Sequence, residues 1–284
     1  MVRATGCARG TDAGPVGGGG LRIGLASPAE IRAWSSGEVS TPDSLDATTL
    51  KPVPGGLLCE RIFGPYRDWE CGCGRLKGRE KAGRTCRACG VRVGRSDVRR
   101  ERMGHIELAA PVVHPWFLRG APGRIALLLD LPPRALERVV AHDAWLVLAV
   151  DAPARDARLA DVRAECAAMP GRPTGELGGP LATEPAWLLA ALRPGLILAE
   201  AQRAALEGAI GLSCLARLGT GGAAVREALA TLDLDRAAAE CRAALAGECP
   251  GRSVAARLRL VEALRRGGVR PEWAVLTVLP VLPA

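Results

Sequence analysis

CGCGRLKGREKAGRTCRACG, residues 71–90, sets Cys71 and Cys73 as one pair and Cys86 and Cys89 as a second, with twelve residues between them. Two thiol pairs separated by a loop are how a structural zinc site is assembled. Four thiolates at about 2.3 Å satisfy the tetrahedral preference of Zn(II) and leave no position open for water. Gly90, just after the second pair, allows the tight turn that aims backbone amides at the sulfurs. One structural Zn2+ is therefore expected, and it would contribute on the order of 10 kcal/mol to local folding. Free or disulfide-bonded thiols are the competing reading, which the spacing opposes. Cys59 reads as a buried small hydrophobe, and His105 and His114 as structural, since four cysteines already saturate the site.

The flanking residues are basic. Residues 61–104 contain 13 Lys and Arg against 5 Asp and Glu, so they hold the whole net charge of +8 and leave 25 of each sign elsewhere. Arg75, Lys77, Arg79, Lys81 and Arg84 lie inside the cysteine loop and are the candidate nucleic-acid contacts, because guanidinium and ammonium groups engage phosphate oxygens. No recognition helix accompanies them, so binding should be positional rather than sequence-reading. Arg92, Arg95, Arg99, Arg100 and Arg102 follow the loop and are a second set of phosphate candidates, with an evenly weighted competing reading in which Arg99, Arg100 and Arg102 form ion pairs with Glu101, Glu107 or other subunits. A solvated basic face is the bland alternative for both groups.

Aromatic residues make up only 3% of the chain, so its core must come from Leu, Val and Ala. No apolar run approaches the roughly 18 residues of a membrane span, and residues 1–20 lack a secretory apolar region. A cytoplasmic chain with reduced thiols and no membrane partner is the expectation.

Outward from the cysteines, an α+β fold is expected, a zinc-ribbon-like module with short strands followed by a mostly helical region. Residues 1–20 form a Gly-rich, disordered leader. Ser27-Pro28-Ala29-Glu30 is a capping box that starts a helix running to about Ser36, with Ile31 and Trp34 inward. Residues 38–54 read as an extended connector and Leu57 to Phe63 as a strand holding Cys59. His105–Ala110 and Ile125–Leu129 read as strands or buried turns, Pro132–His142 as a helix burying Leu136, Val139 and Val140, and Trp145–Val150 as a strand. Residues 151–183 are expected to be loosely ordered, with one short helix near Leu159–Met169. Helices follow from Glu184, broken at Pro194-Gly195, Gly219–Gly222 and Gly247–Gly251, with Leu234–Ala246 and Ser253–Arg266 paired as an antiparallel hairpin. Trp273–Leu282 closes the chain as a strand.

Five strings in order, IRAWSSGEV (31–39), GLLCERIFGPYRDWECGCG (56–74), CRACGVRV (86–93), VRRERMGHIELAAPVVHPWF (98–117) and PEWAVLTVLPVLP (271–283), resemble the beta-prime subunit of bacterial DNA-directed RNA polymerase. The resemblance covers nearly all of residues 21–150 and resumes near Gly195. It places Cys71, Cys73, Cys86 and Cys89 on the family's zinc ligands and the connector at Val39 to Pro54 on the element called the zipper. It implies a clamp base at 21–150 with the zinc module at about 61–104, an insertion at 151–194, and a helical clamp part at 195–284. Residues 211–222 match poorly. The implied partners are the beta, alpha, omega and sigma subunits, the DNA template and the nascent RNA.

By the same resemblance the lid, the sigma-binding coiled coil, the rudder and the loop that holds catalytic Mg2+ lie beyond Ala284. The chain is then expected to be one portion of the subunit and inactive alone, with no catalytic residue of its own. The residues agree in that no Asp-x-Asp-x-Asp run occurs, and Asp233 and Asp235 read as helix-start residues. A free-standing zinc-ribbon nucleic-acid-binding protein derived from the polymerase is the alternative.

Overall fold

The structure, a computed structural model, describes residues 24–120, 123–167, 184–247 and 251–282. The leader at 1–20, the middle of the 151–194 segment and part of the Gly247–Gly251 break lie outside the described residues. Helix α1 (Pro28–Trp34) starts as expected: the Ser27 hydroxyl accepts the Glu30 amide at 3.1 Å and the Glu30 carboxylate accepts the Ser27 amide at 2.7 Å. It ends at Trp34 because residues 35–38 turn into strand β1 (Ser35–Glu38), which pairs in parallel with β2 (Met103–Val113). Ile31 is buried and Trp34 half-buried. Residues 40–54 are a largely exposed connector between the buried Val39 and the buried Gly55 and Gly56, and a bridge between Leu45 and Pro52 closes it.

The strand expected at Leu57–Phe63 is instead a single helical turn, α2 (Glu60–Phe63), with Cys59 at its N-cap. Cys59, Ile62 and Phe63 are spaced i, i+3, i+4, which gathers them on one side of a helix but scatters them across a strand. They pack with Val39, Ile106 and Val281. Strand β2 reaches beyond the expected span and pairs antiparallel with β6 (Val275–Val281), giving the sheet β1–β2–β6.

Helices α3 (Pro115–Leu118), α4 (Arg124–Leu129) and α5 (Pro133–Val140) follow. The α4 segment is helical, not extended; it buries Ile125, Ala126 and Leu128 and stops where Asp130 takes a left-handed φ of 54°. Strand β3 (Ala144–Val150) leads to α6 (Ala152–Ala167), a longer and more regular helix than the sequence indicated, with Asp151 accepting the Ala154 amide at 3.0 Å. Then come α7 (Glu184–Ala191), β4 (Ile197–Ala199), α8 (Glu200–Ile210), α9 (Leu212–Leu215) and β5 (Ala216–Gly219). Strands β4 and β5 flank β3 in an antiparallel sheet that the sequence pattern does not disclose.

Helices α10 (Gly221–Ala230), α11 (Leu234–Leu245) and α12 (Arg252–Gly267) complete the chain before β6. Helices α11 and α12 form the expected antiparallel pair, tied by Arg265 to Asp235 and by Arg242 to Glu262 at 2.8 Å. Two main cores meet at β3, whose alternating faces send Leu146 into a cluster with Leu136, Val139, Leu229 and Val261 and Val147 into one with Leu189, Leu192 and Leu206. Among the described residues no helix is long and apolar enough to cross a membrane.

Candidate metal centre

Each cysteine pair sits on a small knuckle, and the two knuckles are built alike. In the first, the Cys71 amide donates to the Leu76 carbonyl at 3.0 Å beneath a bridge between Glu70 and Lys77; in the second, the Cys86 amide donates to the Val91 carbonyl at 2.9 Å beneath a bridge between Thr85 and Arg92. Gly74 at φ 75° and Gly90 at φ 71° turn the chain through the left-handed region that L side chains avoid. The four sulfurs lie within 4.8 Å of one another, with Cys73 Sγ 3.6 Å from both Cys71 Sγ and Cys86 Sγ. Tetrahedral Zn–S bonds place sulfurs about 3.8 Å apart, so this all-thiol set can hold a metal ion and is compatible with a structural zinc. The module has little else to hold it: Val91 and Val93 are the buried aliphatics, with Trp69 and Leu76 packed beside them.

Backbone amides prepare the sulfurs for a cation. The Leu76 amide reaches Cys71 Sγ at 3.2 Å. The amides of Cys89 and Ala88 stabilise the Cys86 thiolate against the cost of desolvation and bring its pKa down to about 6. At Cys73 the Arg75 amide also favours the thiolate, but desolvation and the neighbouring thiols of Cys71, Cys89 and Cys86 outweigh it, and the pKa rises to about 11. Thiolates crowded together repel until a cation shares them.

Of the candidate phosphate contacts, Arg75, Lys77, Arg79 and Arg84 are exposed and Lys81 is half-buried. Lys77 lies 3.5 Å from Glu70, and Arg79 lies over the Trp69 ring at 5.3 Å. The second basic group separates by role. Arg99 is buried, donating to the carbonyls of Gly64 at 2.6 Å and Leu58 at 3.2 Å and lying 4.0 Å over the Tyr66 ring, so it uses backbone rather than the expected carboxylates. Arg95 pairs with Asp97 at 3.0 Å, while Glu107 takes Arg32 at 2.6 Å. Both histidines are structural in their contacts: His105 Nδ1 meets Ser35 Oγ at 2.7 Å, and His114 accepts the Trp116 amide at 3.2 Å. Sequence reading missed the helical turn α2 just before the first knuckle, although the i, i+3, i+4 spacing of Cys59, Ile62 and Phe63 held that signal.

The two-knuckle, four-cysteine arrangement on a mixed α+β base is compatible with a zinc-ribbon-like module. The chain belongs to the family described as RNA polymerase Rpb1, domain 1, whose model matches residues 19–164. It is 42% identical over 265 residues to the DNA-directed RNA polymerase subunit beta' of Moorella thermoacetica, a match covering 93% of this chain and 19% of that protein. The proteins of the same name from Acetivibrio thermocellus and Pelotomaculum thermopropionicum are also 42% identical, over 93% and 92% of this chain. The chain thus spans about a fifth of the length of these relatives.

Proposed function

We propose that this chain supplies the zinc-stapled clamp portion of the beta-prime subunit in a cytoplasmic DNA-directed RNA polymerase. The observation that carries this reading is the four-thiol cluster, built inside the one segment that holds all of the chain's excess positive charge. Cys71, Cys73, Cys86 and Cys89 bind one Zn2+, whose role is to fix a module with too little apolar material to fold unaided. Arg75, Lys77, Arg79, Lys81 and Arg84 then face the phosphates of DNA or nascent RNA. The beta, alpha, omega and sigma subunits are the protein partners. In this reading 21–150 is the clamp base, 151–194 an insertion and 195–284 the helical clamp part.

Nucleotidyl transfer requires carboxylates clustered to hold Mg2+ at the attacking and leaving oxygens, and we assign that cluster to parts of the subunit outside this chain. Asp233 and Asp235, near neighbours in sequence, are committed elsewhere: Asp233 caps α11 by accepting the amides of Asp235 and Arg236 at 2.9 and 3.0 Å, and Asp235 pairs with Arg265. Templated RNA synthesis with Mg(II), assayed with the purified chain alone and with the other subunits and the rest of beta-prime, tests the assignment. No RNA is expected from the chain alone, and restored synthesis from the complete set. RNA made by the chain alone would overturn the reading. Failure to assemble, with zinc and nucleic-acid binding retained, would favour a free-standing zinc-ribbon binding protein.

A further inference from the structure

The one-turn helix α2 touches both knuckles and the sheet at once. Glu60 accepts the Tyr66 amide on Oε1 at 2.9 Å, and its Oε2 lies so close over Gly72 in the first knuckle that any side chain there would have to displace it. Arg61 lays its aliphatic stem over Gly90 in the second knuckle, where an added Cβ would stand 2.8 Å from Arg61 Cδ. The next two residues turn away: Ile62 and Phe63 pack with Val39, Ile106 and Val281, and an added Cβ on Gly104 of β2 would stand 3.0 Å from the Phe63 ring.

We propose that Glu60 and Arg61 are positioning residues of the metal centre, each fixing one knuckle, and that α2 couples occupancy of the four-thiolate site to the order of the sheet β1–β2–β6. The inference rests on the zinc reading above. Each knuckle carries two of the four ligands, so their relative placement decides whether the sulfurs converge. The bases of the knuckles are joined by Val91 and Val93 packing with Trp69 and Leu76 and by the Trp69 amide donating to the Gly94 carbonyl at 2.8 Å. At Gly72 and Gly90, next to the cysteines themselves, it is Glu60 and Arg61 that press on the two turns, and that shared support adds a constraint on how the ligand pairs converge. Outer-shell groups of this kind commonly govern metal affinity by about 10–100-fold.

The experiment uses the full chain loaded with Zn(II). Metal content is counted, release to excess chelator is followed with a metallochromic dye, and amide exchange is read along β2 and along α11 and α12. Glu60→Ala with Arg61→Ala is expected to release zinc about 10–100-fold faster, whereas Glu60→Gln with Arg61→Lys, which keeps the acceptor for Tyr66 and the stem over Gly90, should stay within about threefold of the parent. Removing zinc from the parent chain should speed exchange at Gly104–Ile106 and leave α11 and α12 protected. Should the double alanine variant not fold, Gly72→Ala displaces the Glu60 carboxylate without removing it and should also speed release. Release at the parent rate in the variants, or a β2 indifferent to zinc, overturns the coupling while leaving the zinc reading intact. A parent chain without zinc overturns both.

Discussion

A guanidinium taken out of water must find a partner for each proton it turns inward, and Arg99 does so with two backbone carbonyls and the face of Tyr66. Arg99→Ala would strand those carbonyls and remove the stacking, at a cost of about 3 kcal/mol; urea unfolding of the zinc-loaded chain measures it, and Arg99→Lys, lacking the planar fork, should recover only part. The residue scale also sets a proton count. Cys86, held near pKa 6 by the Cys89 and Ala88 amides, is already a thiolate at neutral pH. Because that pKa is lowered, the stabilisation is present above the ordinary thiol value and is lost as pH falls through about 6. Zinc uptake at pH near 7.5 should therefore release fewer protons than the four that four neutral thiols would give, and one more once the pH is below 6. Calorimetry in buffers of different ionisation heat reads this directly, and a count independent of pH across that window would contradict it.

At the scale of elements, Gly219–Gly222 reads in sequence as a break, yet the structure uses it to seat α10 against β2. Gly221 holds a φ of 71° beside the His142 ring, and Gly222 lies against the Pro111 carbonyl, a backbone neighbour that cannot swing aside. Gly222→Ala should accordingly force helix and strand apart and cost about 1–3 kcal/mol. Gly208 within α8 is the control, since nothing lies within 4 Å of where its Cβ would be. Gly208→Ala should stabilise by up to about 1 kcal/mol through helix propensity. Thermal unfolding of the two variants should move in opposite directions.

For the whole molecule the governing quantity is where the charge sits. All of the +8 lies in residues 61–104, and the thiolates of the proposed zinc site lie in its midst. Replacing Arg75, Lys77 and Arg79 with Gln should weaken binding to any nucleic acid about equally and flatten the salt dependence by roughly 0.7–0.9 for each phosphate no longer neutralised. Lys77 should contribute least, because Glu70 already faces it. Fluorescence anisotropy across a salt series provides the test. Unchanged affinity and slope would make this loop a solvated face or a protein contact.

Sequence by itself determined what depends on covalent spacing: the four converging cysteines, the Ser27–Glu30 capping box, the buried Leu136 and Val139 stripe of α5, and the α11–α12 pair. Each is settled by residues within a few turns of one another, or across one short loop. Only the tertiary structure decided the rest, because the partners are remote. Strand β1 exists through pairing with residues near 103–105, β2 pairs Gly104 with Val281, and β4 and β5 are strands because β3 lies between them. Segments of 3 and 4 residues are too short to carry a period of their own. Nor does the run Val98–Met103 disclose which arginine is buried, a choice made when the 3-10 turn at Ser96–Arg100 meets the carbonyls of Leu58 and Gly64. The cysteine spacing is local chemistry; the seating of Glu60 and Arg61 against Gly72 and Gly90 is decided by tertiary packing.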